Sequence, residues 1–204
     1  MTQLVLLDQD AVGLKKDRFQ TPAWAVEAIM PMLPKEWQYW EPCAGKGNIV
    51  RAMKEAGYLC CGSDVEGLAE YCPHYEPIDF LRHEPKGHDA IITNPPYSNY
   101  GEFIRRCFEL GKPFALLIPD SFADSTKRME IIREYGGVDV VYLPERVAFE
   151  TPTGRTGKDS SPNFLTVWVC KGFDVSLLAP EREPSKCVYL PPRGTERKRT
   201  EKHG

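Results

Sequence analysis

An apolar run that stops at two consecutive prolines constrains the fold of this chain more than any other feature. Residues 89–93 read Asp-Ala-Ile-Ile-Thr, and Asn94, Pro95, Pro96 and Tyr97 follow directly. A short apolar run bounded by turn residues is typical of a buried strand. The prolines end it, because each fixes φ and lacks an N–H donor. Since open α/β sheets bind ligands beyond the carboxyl ends of their strands, the tetrapeptide 94–97 is predicted to lie in a functional site.

The tetrapeptide 94–97 can hold a planar base that carries an amino group. The Asn94 side-chain oxygen and the Pro95 carbonyl are hydrogen-bond acceptors, and Tyr97 offers a flat aromatic face. An exocyclic amino nitrogen is a weak nucleophile, because its lone pair is delocalised into the ring. Two acceptors on its two hydrogens would make the nitrogen more tetrahedral and direct its lone pair at a positioned electrophile. The alternative interpretation is an ordinary proline-rich turn, in a chain with 18 prolines.

Strand-like and helix-like segments alternate along the chain, which predicts an α/β fold with a mainly parallel, doubly wound sheet. The last two strands have no helix between them and are expected to form an antiparallel pair at one edge. Thr21 is expected to cap the first helix, with Pro22 in its first turn. We expect a lead-in at 1–18, one catalytic domain at 19–175 and an extension at 176–204. The predicted strands cover 37–40, 58–63, 75–78, 89–93, 113–118, 138–143 and 164–170, and the predicted helices cover 21–32, 49–56, a short stretch near Leu68, 101–110 and 121–135.

Composition narrows the class of protein. The chain has 204 residues, of which 42% are hydrophobic, which suits one good core. The sequence contains no apolar stretch of membrane-spanning length and no signal-peptide start, so we expect no membrane association and a cytoplasmic location. It contains no Cys-x-x-Cys pair, so we expect no metal site. The net charge of −3 gives no general basic face, but residues 191–204 carry +3 and are expected to be disordered. This tail is either a phosphate-seeking arm or a solubilising terminus.

A glycine-containing segment at another strand-to-helix junction is a candidate cofactor loop. Residues 41–47 read Glu-Pro-Cys-Ala-Gly-Lys-Gly. Gly45 and Gly47 allow a tight turn and a close approach of the backbone to a ligand. A dinucleotide site would have a third glycine where Val50 stands, and no phosphate-loop lysine with a following serine or threonine is present. A neutral or zwitterionic nucleoside therefore fits better than a pyrophosphate, and a purely structural turn is the alternative.

Both segments resemble motifs of the S-adenosylmethionine-dependent amino-methyltransferases, which methylate exocyclic amino groups of adenine or cytosine. That family carries Asn/Asp/Ser-Pro-Pro-aromatic in its catalytic motif and an acidic residue followed by x-x-x-Gly-x-Gly in its cofactor loop. The resemblance covers roughly residues 19–170. It implies a Rossmann-like methyltransferase fold with a mainly parallel, seven-stranded sheet and an antiparallel edge pair. It also implies S-adenosyl-L-methionine as the cofactor and assigns catalysis to Asn94, Pro95, Pro96 and Tyr97.

The resemblance assigns the cofactor to residues at the ends of three strands and to the segment 19–22. Glu41 would contact the methionine amino group directly or through water. Asp64, 17 residues after Gly47, would bind the ribose hydroxyls, and Asp79 the adenine amino group. The segment 19–22 resembles one that contacts the methionine end. The full predicted cofactor set is Phe19, Thr21, Pro22, Glu41, Pro42, Gly45, Gly47, Asp64, Asp79, Phe80 and Asn94.

The target side is predicted from Tyr97 and from the loop 144–161. A base in a duplex must be flipped out of the stack to reach such a pocket, and Tyr97 would stack on one of its faces. Phe149 is the candidate second aromatic, with core packing as the alternative. Arg146, Arg155 and Lys158 make the loop mildly basic and are candidate substrate contacts. The loop either closes over the target strand or is a disordered connector.

These observations favour methyl transfer to the adenine amino nitrogen of DNA. RNA adenine, cytosine or protein glutamine would use the same pocket, and a non-catalytic nucleotide-binding module would keep only the fold. An NAD-dependent oxidoreductase would explain Asp64 but neither Val50 nor the tetrapeptide 94–97. No separate target-recognition segment is evident beyond the loop 144–161 and the tail, so specificity could come from an accessory partner or a homo-oligomer. In this respect the chain resembles small phage or mobile-element adenine methyltransferases.

Overall fold

A seven-stranded sheet forms the centre of the described chain. The computed structural model describes residues 19–66, 77–84, 86–150, 164–178 and 187–189. None of the helices in these residues is long and apolar enough to cross a bilayer. The strands are β1 (Gln38–Glu41), β2 (Leu59–Gly62), β3 (Ala90–Thr93), β4 (Phe114–Pro119), β5 (Asp139–Tyr142), β6 (Thr166–Lys171) and β7 (Cys187–Tyr189). The α-helices are α1 (Ala23–Glu27), α2 (Asn48–Glu55), α3 (Tyr100–Leu110) and α4 (Thr126–Glu134), and short 3₁₀ helices cover Met30–Met32, Asp120–Asp124 and Val175–Leu178.

The strand order reverses its direction at one point of the sheet. The order is β2-β1-β3-β4-β6-β5-β7. From β1 the chain crosses through α2 to β2 on one side, whereas β3, on the other side of β1, leads through α3 to β4. These strand pairs are parallel, so the carboxyl ends of β2, β1 and β3 lie along the same edge. Ligands of such sheets bind at the reversal, which here lies between the ends of β1 and β3.

The sheet confirms the predicted Rossmann-like α/β fold with a mainly parallel sheet. β6 pairs antiparallel with β4 and with β5, which confirms the antiparallel pair formed by the predicted last two strands. This pair does not form the edge, however, because β7 pairs in parallel with β5 outside it. The sheet therefore includes residues beyond 175, the predicted end of the catalytic domain. The described residues 77–78 form no strand, and residues 75–76 and the predicted helix near Leu68 lie outside the described ranges.

The predicted first helix, 21–32, is wrong in its start and its length. Pro22 rather than Thr21 stands at the N-cap, and no side chain caps the helix. The α-helix ends at Glu27, and a 3₁₀ turn follows. Pro31 explains the early end, because it lacks the N–H that would bond to the Glu27 carbonyl and its ring clashes with the preceding turn.

The predicted helix 121–135 is divided in two by Ser125. This residue has an extended backbone between the 3₁₀ helix and α4, and its hydroxyl accepts a hydrogen bond from the Arg128 N–H at 3.4 Å. Serine favours this position because its side chain replaces an intrahelical partner that the first turn lacks. α4 therefore begins at its own cap.

The core lies on both faces of the sheet. Tyr39 packs on one face and the next residue, Trp40, on the other, as the two-residue period of a strand requires. Trp168 in β6 is fully buried, and its Nε1–H donates to the Ala25 carbonyl at 2.8 Å. This bond joins residues 143 positions apart and fixes α1 against the sheet.

We expect Trp168→Ala to lower the free energy of unfolding by about 3–5 kcal/mol, because it leaves a large cavity and an unpaired carbonyl. Urea denaturation followed by circular dichroism measures the change. Leu59→Ala on β2 is the control, since Leu59 is 59% exposed and its truncation should cost at most about 0.5 kcal/mol. Equal effects of the two substitutions would contradict the role of Trp168.

Candidate active site

A cavity of about 410 Å³ opens at the reversal point of the sheet. It is lined by residues that follow three neighbouring strands, namely Pro42 after β1, Asp64 after β2 and Asn94 after β3. This volume lies within the range of small-molecule and cofactor pockets. The predicted site residues that line the cavity are Phe19, Pro42, Gly45, Asp64, Asp79, Phe80, Asn94 and Pro96.

The glycine loop is shaped by Gln20. Gly45 has a φ of +52°, and a Cβ added there would lie 2.4 Å from Gln20 Nε2. The same Gln20 side chain accepts the Lys46 N–H through Oε1 at 2.7 Å. Gly47 has a φ of +77° at the start of α2. Both positions therefore need glycine for their left-handed backbone, and Gly45 also needs it for the close approach of Gln20.

A two-residue bridge holds Gln20 over this loop. Gln20 pairs antiparallel with Glu150 through backbone hydrogen bonds of 2.9 and 3.0 Å. The Glu150 carboxylate lies 2.7 Å from Lys46 Nζ. The hydrogen bond from Lys46 lowers the pKa of Glu150. Two segments that are distant in sequence, one before α1 and one after β5, thus both contact the glycine loop.

Glu41 is a buried carboxyl group with one unsatisfied oxygen. It ends β1 and is 1% exposed. Its Oε1 accepts hydrogen bonds from the Thr93 hydroxyl and from the Cys43 N–H, the latter at 3.0 Å. Its Oε2 is buried, and no residue in the described part of the chain donates to it. Burial raises the pKa of Glu41 to about 8, although the two hydrogen bonds favour the carboxylate. A buried acceptor of this kind is stabilised by a donor, and most strongly by a cationic one.

Asp64 is oriented by two backbone N–H groups. Its Oδ2 accepts from Gly45 at 3.1 Å, and its Oδ1 accepts from Glu66 at 3.2 Å. A carboxylate oxygen can accept more than one hydrogen bond, so Asp64 keeps capacity for hydroxyl donors in the cavity.

Asp79 and an aromatic pair form another wall of the cavity. The Asp79 Oδ1 accepts from the Leu81 N–H at 3.0 Å, and its Oδ2 lies 3.3 Å from Arg82 Nε. Phe80 stacks on Phe103, with ring centroids 4.9 Å apart and an interplanar angle of 15°. This wall therefore combines a fixed carboxylate with a rigid apolar surface, which suits a heteroaromatic ring with an amino group.

Asn94 lines the cavity and has an unused acceptor. Its Nδ2 donates to the Phe19 carbonyl over a long 3.4 Å contact, while its buried Oδ1 receives no hydrogen bond from any described residue. The Pro96 carbonyl accepts the Asn99 N–H at 3.1 Å, which closes a turn after the prolines. No backbone N–H in the described ranges donates to the Pro95 carbonyl. The Asn94 Oδ1 is thus left for another donor.

Tyr97 is surrounded by aromatic residues. Its ring lies edge-on to Phe149 at 6.2 Å and to Phe164 at 5.7 Å between centroids. Phe149 is 2% exposed and also contacts Phe19 at 6.3 Å. The core-packing alternative for Phe149 therefore describes this structure: Phe149 supports Tyr97 and has no free face for a base.

The remaining predicted residues occupy different places. Arg146 is exposed, whereas Arg155 and Lys158 lie outside the described residues. Thr21 and Glu41 are buried. Among the described residues, the members of the predicted set that are not part of the cavity lining are Thr21, Pro22, Glu41, Gly47, Pro95, Tyr97, Arg146 and Phe149.

Sequence reasoning missed about half of the lining. Some of the missed lining residues are next to predicted site residues in the sequence, and this adjacency could have been used to predict them. Asn99 and Phe103 reach the cavity from α3 and had no such signal. The described residues contain no group of three or more His, Cys, Asp or Glu side chains placed to hold a metal ion. The unpredicted lining residues are Gln20, Cys43, Lys46, Val65, Glu66, Leu81, Asn99 and Phe103.

Comparison with known proteins shows similarity in structure and none in sequence. No protein-family model matches the chain, and no curated protein matches it. The M protein of the type I restriction enzyme EcoKI matches with a TM-score of 0.49 at 14% identity, over 76% of this chain and 44% of that protein. A candidate RNA methyltransferase from Pyrococcus horikoshii matches with a TM-score of 0.48 at 14% identity, over 72% and 78% of the two chains. The 23S rRNA methyltransferase ErmE matches with a TM-score of 0.47 at 15% identity, over 74% and 66%.

We expect Glu41→Gln to remove a pH dependence of stability. Because the pKa of Glu41 rises from 4.5 to about 8 on folding, folding takes up a proton between these pH values. The free energy of unfolding of the wild type should therefore fall as pH rises through this window, by on the order of 1 kcal/mol per pH unit, and should level off above it. Urea denaturation at intervals from pH 5 to pH 8 measures this slope.

The matched control for this prediction is Glu36→Gln, at an exposed glutamate. The difference in unfolding free energy between Glu41→Gln and the wild type should grow with pH, whereas Glu36→Gln should follow the wild type. Parallel profiles for all three proteins would show that Glu41 is not a protonated buried group.

Proposed function

We propose that this chain is an S-adenosylmethionine-dependent methyltransferase that acts on the amino nitrogen of adenine in DNA. The observation that carries the proposal is the unused Oδ1 acceptor of Asn94, placed at the end of β3 in the wall of the cavity. The Pro95 carbonyl next to it gives a second acceptor. Together they match the two hydrogens of an amino group on a planar base.

The groups of S-adenosyl-L-methionine match the acceptors around the cavity. Its ammonium group fits the unpartnered Oε2 of Glu41, and a cation there would lower the pKa of this carboxyl. Its ribose hydroxyls fit Asp64, and its adenine fits Asp79 and the apolar wall at Phe80. When bound, the cofactor supplies a methyl group on a positively charged sulfur.

The chain's own residues would position the acceptor nitrogen and leave the chemistry to the two reactants. Asn94 and Pro95 hold the two amino hydrogens, so the nitrogen lone pair points at the methyl carbon. With S-adenosylmethionine held there, this lone pair would accept the methyl group, and the electron pair of the sulfur–carbon bond would stay on sulfur. The nitrogen is then positively charged, and its excess proton leaves to water. Tyr97, supported by Phe149 and Phe164, restrains the base.

Access to Asn94 requires a movement of the segment that covers it. The Asn94 Oδ1 is buried, and the Phe19 carbonyl contacts the same side chain at 3.4 Å. This contact is at the long limit for a hydrogen bond and is therefore weak. Displacement of Phe19 would expose Asn94 to a target base, while the Gln20–Glu150 bridge keeps the segment attached.

Adenine is the proposed base because the Asn form of the tetrapeptide 94–97 resembles the adenine-specific members of the amino-methyltransferase family. DNA is the proposed polymer on the same resemblance. The target base would be flipped out, at a lower cost in single strands or at mismatches than in a duplex.

We expect Asn94→Ala to lower the turnover number by at least about 100-fold, because it removes one of the two acceptors on the reacting nitrogen. Binding of S-adenosylmethionine, measured by calorimetry, should change by less than about threefold. Gln38→Ala is the control, since Gln38 is exposed at the start of β1 and is not part of the described cavity lining. Full activity of Asn94→Ala would contradict the proposed mechanism.

The activity itself is tested by tritium transfer from labelled S-adenosylmethionine to DNA and RNA, followed by digestion to nucleosides. Label on the adenine amino group of DNA is the expected result. Label on RNA adenine or on cytosine would support the proposed methyl transfer but contradict the proposed substrate. Cofactor binding without label on either polymer would redirect the proposal to a protein glutamine or to a non-catalytic binding role.

A further inference from the structure

A second cavity, of about 450 Å³, adjoins the first. The two cavities share Leu81 and Asn99 in their linings. The second cavity runs between α3 and the start of α4, and Ser98, next to the catalytic tetrapeptide, also lines it. The two cavities are therefore neighbours that meet at Leu81 and Asn99.

The lining of the second cavity is basic, although the chain as a whole is acidic. Four cationic and two anionic side chains line it, a difference of +2, whereas the chain carries −3. We call this cavity the basic groove. Its charged residues are Arg105, Arg106, Lys127, Arg128, Glu102 and Glu109.

Arg128 is held in a fixed position in the basic groove. It donates to the Phe122 carbonyl at 2.8 Å and to the Ser121 carbonyl at 3.2 Å. Its guanidinium also lies over the Tyr100 ring, 4.9 Å from the centroid. None of these partners is an anion, so the positive charge of Arg128 is not neutralised by them.

Arg105 and Lys127 are the two exposed cations of the basic groove. Neither forms an ion pair or a side-chain hydrogen bond with the residues that the structure describes. Lys127 also lies in the first turn of α4, a nine-residue helix whose first turn contains no acidic residue. The N–H groups and the dipole at this helix start add to the attraction for an anion.

We propose that the basic groove binds the phosphates of the DNA strand that carries the target adenine. This inference rests on the proposed function, because it assumes that a target adenine reaches Asn94 in the wall of the first cavity. The phosphates that flank an extruded nucleotide must lie beside the pocket of its base, and Ser98 of the basic groove directly follows the tetrapeptide 94–97. Arg128 provides a fixed charge, and Arg105 and Lys127 provide free donors that adapt to the strand. Phosphate contacts of this kind position a strand without reading its sequence.

The test compares two double variants with the same change of net charge. One is Arg105→Ala with Lys127→Ala. The control is Lys86→Ala with Arg133→Ala, at two exposed cations that do not line the basic groove, Arg133 being on α4 as well. Binding of a fluorescent single-stranded DNA 20-mer is measured by anisotropy over a series of salt concentrations. The groove variant should bind roughly tenfold more weakly at low salt, and its slope of log K against log salt should be smaller by about 1.4.

The remaining outcomes separate this inference from the proposed function. S-adenosylmethionine binding, measured by calorimetry, should be the same in both double variants and the wild type. Equal DNA affinity and equal salt slope in the groove and control variants would overturn the inference, even if the wild type methylates DNA. A loss confined to an RNA 20-mer of the same sequence would overturn the assignment to DNA. Weaker DNA binding by the groove variant in a protein that transfers no methyl group would support the basic groove and contradict the proposed activity.

Discussion

The hydrogen bond from Thr93 to Glu41 joins the ends of the two strands on which the candidate site is built. Thr93 ends β3, Glu41 ends β1, and both side chains are buried. Burial of a carboxyl group is costly unless it is hydrogen-bonded, and the described residues satisfy only one of its oxygens. Asn94 follows Thr93 directly, and Pro42 follows Glu41. The position of the Asn94 side chain relative to the glycine loop therefore depends on this buried contact.

The walls around this centre come from distant parts of the chain. Gln20 and Glu150 form a bridge that contacts Lys46 from two directions, through a backbone N–H and through a side-chain amine. At the other end of the tetrapeptide 94–97, the buried Phe149 packs edge-on against Tyr97. The glycine loop is thus held by hydrogen bonds and the Tyr97 ring by aromatic packing. Hydrogen bonds orient donors and acceptors, whereas edge-on aromatic contacts restrain a ring without using its polar groups.

The strand that precedes the tetrapeptide and the glycine turn after β1 were predictable from the sequence, because apolar periodicity and glycine chemistry are local signals. The errors of the sequence predictions have physical causes. Pro31 ends α1 early through its missing N–H, and Ser125 caps α4 and divides a predicted helix; both signals were present in the sequence. β7 could not be predicted from the sequence, because a segment of three residues is too short to show a periodic pattern. It forms a strand by pairing with β5. Phe149 was ambiguous, since an aromatic side chain suits a core and a binding face equally.

Local sequence accounts for the chemical groups at the strand ends: a carboxyl at Glu41 and Asp64, an amide at Asn94, and glycines where the backbone is left-handed. Those choices are local, since each depends on the residue and its immediate neighbours. The tertiary structure alone decided which of these groups meet. The strand order places β1 between β2 and β3, and that order brings Asp64 and Asn94 to one cavity and the basic groove to its side. Contacts across such separations depend on how the strands pair and pack, which no local pattern encodes.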